Sequence, residues 1–142
     1  MNRLHIKKAA VLGAGVMGAQ IAAHLANAGV PVVLFDLPAK EGDKNGIVRK
    51  AIDGLKKLEP APLANKAALK LISAANYDEH LAELAGCDLI IEAIAERMDW
   101  KNDLYGKIVP HIAANAIIAS NTSGLSIDAL SQALPADVRP RF

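Results

Sequence analysis

A glycine-rich turn near the N-terminus constrains the fold of this chain more than any other feature of its sequence. Residues 13–18 read G-A-G-V-M-G, the spacing G-x-G-x-x-G, between an apolar segment at 7–12 and a helical pattern at 16–28. In such a turn the first glycine permits a tight reversal, the second lets the backbone approach a pyrophosphate, and the third allows close helix packing. With the β-branched apolar segment 31–36, this pattern predicts a parallel β-α-β unit of about thirty residues.

Strands and helices alternate along the rest of the chain. We predict helices at 46–58, 63–71, 78–85, 97–113 and 127–134, and strands at 70–74, 88–94 and 116–120. The first two of these helices would form a helical hairpin inserted after the second strand. The alternation predicts an α/β fold, a Rossmann-type doubly wound and mostly parallel sheet, with residues 1–142 in one domain.

Two local details of this fold are also predicted. The first helix should end at Gly29 and should turn one apolar stripe toward the sheet, made of Met17, Ile21, Ala22 and Leu25. The last residues, 140–142, read as the start of a further strand.

The composition excludes several classes of function. The 16 basic and 15 acidic residues nearly cancel and aromatic residues make up 4%, so we expect no nucleic-acid partner and no membrane surface as a partner. The single cysteine, Cys87, excludes an internal disulfide and is expected to be a small buried residue. No zinc-binding spacing is present, and we expect a soluble cytoplasmic protein without a metal site.

Asp36 sharpens the nucleotide prediction. It ends the second predicted strand, 18 residues after Gly18, where a carboxylate can accept hydrogen bonds from both ribose hydroxyls of adenosine. The same charge would repel a 2′-phosphate, so NAD is favoured over NADP as the cofactor. Lys40 is the nearby cation that argues slightly the other way, because it could reach a phosphate.

Three stretches of the sequence resemble the N-terminal domain of 3-hydroxyacyl-CoA dehydrogenases, enzymes of fatty-acid β-oxidation. They are A-V-L-G-A-G-V-M-G at 10–18, L-I-I-E-A-I-A-E at 89–96 followed by Lys101, and A-S-N-T-S at 119–123. The likeness spans essentially the whole chain. It implies an NAD-dependent oxidoreductase that converts (3S)-3-hydroxyacyl-CoA to 3-oxoacyl-CoA.

The resemblance also implies a set of binding residues. Contacts to the pyrophosphate are expected from Gly13, Ala14, Gly15, Val16, Met17 and Gly18, and contacts to the adenosine ribose from Asp36. Ala93 and Ile94 would form the floor of the cofactor crevice. Glu96 and Lys101 match positions near the nicotinamide ribose, Ser123 matches a serine between nicotinamide and acyl substrate, and Asn121 lies beside that serine.

Structural roles compete with some of these assignments. Glu96 could be a charge at a helix start and Lys101 a surface lysine, since their spacing does not require them to face each other. Residues 121–123 could form a capping turn before the next helix. Trp100 and Tyr105 are expected to serve in packing.

No catalytic residue is expected within this chain. In the family that it resembles, a histidine is the general base, and the stretch that holds it would come after Phe142, together with a helical domain that completes the acyl pocket. His5, His24, His80 and His111 are not expected to replace it, because none is predicted at the carboxyl end of a strand. We therefore expect this chain to bind NAD but to show no activity alone.

The parent protein is expected to bind acyl-CoA, and to form a homodimer or to be fused to an enoyl-CoA hydratase module. Two other classes remain open. One is another Rossmann dehydrogenase of the hydroxy-acid type, and the other is a non-catalytic module that senses NAD.

Overall fold

The computed structural model describes residues 5–57 and 66–142, which form a five-stranded sheet with helices on both faces. The strands are β1 (Ala9–Leu12), β2 (Val32–Asp36), β3 (Ile72–Asn76), β4 (Leu89–Glu92) and β5 (Ile117–Ser120). They lie in the order β3-β2-β1-β4-β5, and each neighbouring pair is parallel. The chain therefore reverses its winding at β1, the switch point beside which ligands bind in such sheets, and the predicted Rossmann-type fold is confirmed.

Residues 5–57 and 66–142 contain four α-helices and several short 3₁₀ helices between and after the strands. The α-helices are α1 (Val16–Asn27), α2 (Gly46–Leu55), α3 (Met98–Ile108) and α4 (Ile127–Ser131). The segment predicted as a helix at 78–85 is a 3₁₀ helix at Leu81–Gly86, and α3 passes into a 3₁₀ turn at Val109–His111, where Pro110 lies. No helix in the described part of the chain is long and apolar enough to cross a membrane.

The predicted helical hairpin after β2 is described only in part. Its first helix is α2, which ends three residues earlier than predicted. The first three residues of the second predicted helix, 63–65, lie outside the described residues, and its described part is a 3₁₀ helix at Lys66–Leu71. The hairpin as a whole stays a prediction.

The face of α1 that packs on the sheet differs from the predicted stripe. Its buried residues are small, namely Gly18, Ala19, Ala22, Ala23 and Ala26, whereas Met17 is 54% exposed and Ile21 and Leu25 are half-buried. Small side chains allow a helix to approach a sheet closely, so the largest apolar residues of α1 do not mark its inner face. The predicted end of this helix holds, because Gly29, at φ +82°, donates to Ala26 and forms a left-handed cap.

The opposite face of the sheet is covered by larger side chains. Phe35, Tyr77, Leu104 and Tyr105 belong to one buried cluster on this side, and α3 is its main cover. Cys87 lies in the same cluster, and burial raises the pKa of its thiol to about 11, as suits a structural residue.

The last residues do not begin a strand, contrary to prediction. Arg139–Arg141 form a 3₁₀ turn, and Arg141 donates to the carbonyls of Ala113 at 3.0 Å and Ala116 at 2.8 Å. Phe142 packs edge-on against Tyr105. This closing contact fixes residues 139–142 against the loop before β5.

Candidate functional site

The glycine-rich turn joins β1 to α1 at the carboxyl edge of the sheet. Gly13 has φ +111°, and a Cβ there would lie 2.7 Å from the Ala93 carbonyl oxygen, so both its conformation and its surroundings require glycine. A Cβ on Gly18 would overlap the Gly13 carbonyl oxygen. Gly15 is different, because no atom lies within 4 Å of the position its Cβ would take. Gly13 and Gly18 thus allow the turn to be tight, whereas Gly15 leaves open space in front of the backbone.

The N-terminus of α1 faces that open space. Gly15 is its N-cap residue, no side chain caps the helix, and its first turn contains no acidic residue. Val16 is 74% exposed and Met17 54% exposed, so the first-turn backbone is accessible. Unpaired N–H groups and the helix dipole make such an N-terminus favourable for an anion. The arrangement fits a pyrophosphate.

Asp36, at the end of β2, lies directly beside the turn. Its Oδ2 accepts from the Ala14 backbone N–H at 2.7 Å, and its Oδ1 accepts from the Leu37 N–H at 2.6 Å. The Gly13 N–H in turn donates to the Phe35 carbonyl at 2.8 Å. Each carboxylate oxygen keeps further accepting capacity, so Asp36 can brace the turn and still accept from ribose hydroxyls.

A cleft of about 460 Å³ opens between this turn and α3. Five of the residues predicted to bind cofactor line it: Gly13, Gly15, Asp36, Ala93 and Ile94. Its walls also include Tyr77 and Trp100, which the sequence analysis did not assign to a site.

The prediction that Trp100 serves in packing is wrong. Trp100 is 48% exposed and borders the cleft, and the Arg97 guanidinium lies 4.3 Å from its ring centroid. It lies near the start of α3, a helix that also lines the cleft with Asp103, Leu104 and Lys107.

A buried polar cluster lies behind the carboxyl ends of β4 and β5. Glu92 and Lys101 have no exposed surface, and Lys101 Nζ lies 2.6 Å from Glu92 Oε2. Tyr105 and Ser120 each donate a hydroxyl to Glu92 Oε1 at 2.7 Å. The Ile94 N–H donates to Glu92 Oε2 at 2.9 Å. With these four donors the buried carboxylate is fully paired, as a charge in an apolar interior must be.

Glu96 extends this cluster to the surface. Its Oε1 lies 3.4 Å from Lys101 Nζ, so the two residues do face each other. Its Oε2 accepts from the Gly124 N–H and the Thr122 hydroxyl, both at 2.9 Å, and from the Ser123 N–H at 3.3 Å. These bonds lower the pKa of Glu96 to about 2, the Gly124 N–H contributing most. A single carboxylate therefore ties the loop after β4 to the loop after β5.

Lys101 is not the surface lysine that was considered. Because its side chain is fully buried and engaged by Glu92, Glu96 and the Ile94 carbonyl, it supports the site from below. It lines no part of the cleft.

The loop at 121–124 provides its own turn, and Ser123 takes no part in capping α4. The N-cap of α4 is Ser126, whose hydroxyl accepts from the Ala129 N–H, and Thr122 Oγ1 accepts from the Leu125 N–H. The Ser123 hydroxyl has no hydrogen bond to any residue that the structure describes, and both Ser123 and Asn121 are exposed. Their side chains therefore remain available at the sheet edge.

None of the four histidines lines the cleft. His5 and His24 are exposed and His111 lies after α3. His80 corrects our expectation, because it lies near the carboxyl end of β3, where its Nδ1 accepts from the Asn76 N–H at 3.0 Å. That bond gives His80 a structural partner.

Comparisons with known proteins place this chain in a family. The family described as 3-hydroxyacyl-CoA dehydrogenase, NAD binding domain, matches residues 8–140. A putative fatty acid oxidation complex trifunctional enzyme of Rickettsia felis is 44% identical over 138 residues, which are 96% of this chain and 19% of that protein. A probable 3-hydroxyacyl-CoA dehydrogenase of Deinococcus radiodurans is 41% identical over 141 residues, 98% of this chain and 40% of that protein.

A solved structure is similar over nearly the whole chain. The 3-hydroxybutyryl-CoA dehydrogenase of Escherichia coli K12 superposes with a TM-score of 0.77 at 30% identity, covering 96% of this chain and 29% of that one. The chain thus spans less than half the length of these relatives.

Proposed function

The chain belongs to the 3-hydroxyacyl-CoA dehydrogenase family, as its NAD-binding domain, and from this premise we propose that it binds NAD in the cleft between the glycine turn and α3. The observation that carries the proposal is the open space at Gly15 in front of the α1 N-terminus, with Asp36 beside it. The pyrophosphate would lie against the first-turn N–H groups. Asp36 would accept the ribose hydroxyls and disfavour the 2′-phosphate of NADP.

The nicotinamide half would extend toward the loops after β4 and β5. Glu96 would contact its ribose, held in place by Thr122, Gly124 and the buried Lys101. Ser123, with its exposed hydroxyl, would lie between nicotinamide and acyl substrate, and Asn121 beside it.

The parent protein would oxidise (3S)-3-hydroxyacyl-CoA to 3-oxoacyl-CoA. NAD would supply the hydride acceptor. This chain would orient it, while a general base for the hydroxyl proton and the rest of the acyl-CoA pocket would come from sequence beyond Phe142. In support, no histidine among the described residues lines the cleft. The trifunctional relatives suggest a parent fused to further modules, and a homodimer remains a second arrangement to test.

Calorimetric titration of the chain with NADH and NADPH tests the binding proposal. We expect NADH to bind more tightly, and fluorescence of Trp100, the single tryptophan, to change on binding because it borders the cleft. Equal affinities would contradict the role of Asp36. Absence of NADH binding would contradict the proposed function.

The catalytic proposal is tested by NADH production from 3-hydroxybutyryl-CoA, using this chain and a protein extended through the next domain. We expect activity only in the extended protein. Turnover by the 142-residue chain alone would contradict the assignment of the base to later sequence. Inactivity of both would contradict the substrate class.

A further inference from the structure

Tyr77 lines the cleft at the end of β3. It follows β3 directly, and the last residue of β3, Asn76, pairs with Asp36 across the sheet. Its ring stacks on Phe35 with centroids 5.8 Å apart and planes 10° from parallel. Only 7% of the residue is exposed, yet it lines the cleft together with Asp36 and Leu37.

The Tyr77 hydroxyl is an unpaired polar group in a buried place. Within residues 5–57 and 66–142, its oxygen is the one buried side-chain polar atom without a hydrogen-bond partner. Such a group costs about 1–3 kcal/mol, and a phenylalanine would keep the same ring stacking without that cost. Because Tyr77 lines the cleft, a ligand bound there is a candidate for the partner.

The other tyrosine provides an internal contrast. Tyr105 is buried too, with no exposed surface, on the same side of the sheet, but its hydroxyl donates to Glu92 at 2.7 Å. Its hydrogen bond is complete without any ligand. The two buried phenols therefore differ in whether the protein itself provides the partner.

The surroundings of Tyr77 define the chemistry of that partner. Burial, with the nearby charges of Asp36 and Glu92, raises the pKa of its hydroxyl, so the group remains a neutral donor. The Asp36 carboxylate disfavours an anionic phosphate at this point, and it would itself be engaged by the ribose. Leu37, Ala93 and Ile94 give the cleft apolar walls suited to a flat base. These surroundings favour a neutral acceptor carried by a flat ring.

We propose that the Tyr77 hydroxyl donates a hydrogen bond to a ring nitrogen of adenine in bound NAD, which makes Tyr77 a specificity-determining residue for the base. The inference rests on the proposed function, which brings the dinucleotide to this cleft.

The experiment compares Tyr77→Phe with the wild-type chain in calorimetric titrations. NADH and AMP should bind the variant about three- to tenfold more weakly, the range for one neutral hydrogen bond, and reduced nicotinamide mononucleotide should be unaffected. Unfolding of the ligand-free variant in urea should show stability equal to or above that of wild type. Tyr105→Phe should show the opposite sign, a loss of stability, because it leaves Glu92 short of a donor.

The atom involved is identified with 1-deaza-, 3-deaza- and 7-deaza-AMP. The analogue that lacks the accepting nitrogen should bind the wild-type chain more weakly than AMP does. Its affinity should not fall further for the Tyr77→Phe variant, because the hydrogen bond is already missing. Three results would overturn the inference while leaving NAD binding intact. Tyr77→Phe could leave the affinity for AMP unchanged, or it could weaken the binding of every ligand equally. The third result is that the effects of the substitution and of the missing nitrogen add up for all three analogues. A wild-type chain that binds no NADH would overturn the proposed function and this inference together.

Discussion

One half of the candidate site is formed mainly by backbone and the other mainly by side chains. The half around the glycine turn consists of backbone, where Gly13 and Gly18 exclude side chains and Gly15 leaves space. The half behind β4 and β5 consists of charged and hydroxyl side chains, centred on the fully buried pair Glu92 and Lys101.

Because of this contrast, we expect substitutions in the two halves to act in different ways. In the backbone half, one added methyl either breaks the turn or blocks the ligand. In the side-chain half, removing one partner leaves a charge in an apolar interior. The following predictions test that difference, beginning with the largest expected effect.

Lys101→Met should lower the free energy of unfolding by about 3–5 kcal/mol, because it leaves Glu92 buried without its counter-charge. Urea unfolding followed by circular dichroism measures the change. The double variant Glu92→Gln with Lys101→Met should lose less than Lys101→Met alone, since it removes both charges. A single variant as stable as wild type would show that the cluster is not a coupled unit.

Gly18→Ala should destabilise the chain by about 3 kcal/mol, because its methyl would overlap the Gly13 carbonyl. Gly15→Ala is the matched control, since its methyl meets no protein atom. It should change stability by less than about 0.5 kcal/mol and still weaken NADH binding. Thermal melts measure the loss of stability, and NADH titrations measure the loss of affinity. Equal stabilities of the Gly18→Ala and Gly15→Ala variants would contradict the prediction.

Asp36→Ala should weaken NADH binding by about 1.5–3 kcal/mol, the range for hydrogen bonds to a charged acceptor. Its affinity for NADPH should fall less, because the repelling charge is gone. Asp36→Asn is the control that keeps an acceptor for the Ala14 N–H and so preserves the turn. Equal losses for NADH and NADPH in both variants would argue against selection by this carboxylate.

Glu96→Gln should have the smallest effect, one that depends on pH. The folded-state pKa of Glu96 is lowered to about 2 from 4.5, so its stabilising effect is full above pH 4.5 and is lost as pH falls toward 2. Melting temperatures of wild type and variant should differ at neutral pH and converge in that acidic range. A difference in melting temperature that stays constant with pH would contradict the role of Glu96 in joining the loops after β4 and β5.

The difference between the halves also governs how much the sequence could predict. The G-x-G-x-x-G spacing and Asp36 depend on local geometry and on one strand end, and the structure brings both together as expected. The pairing of Glu92 with Lys101 and Ser120 joins residues from β4, α3 and β5. No periodic pattern in the sequence predicts this contact.

Other departures have similar causes. β3 lies two residues later than predicted, so Tyr77 directly follows this strand and lines the cleft, although no site role was predicted for it. Met17 was expected to face the sheet because hydrophobic stripes select large residues, whereas a closely packed helix turns its alanines inward. Trp100 was expected to serve in packing because it lies in a predicted helix, although it is half exposed.

By itself, the sequence determined the parallel α/β order, the turn that takes glycine at three positions, and the carboxylate that ends β2. These follow from short-range sterics and from the alternation of buried strands with helices, which are both written along the chain. Tertiary structure alone decided which charges meet behind the sheet and which of two buried tyrosines lacks a partner. Those outcomes depend on strand register and helix orientation in space, and the distance between two side chains is set there, not by their separation in sequence.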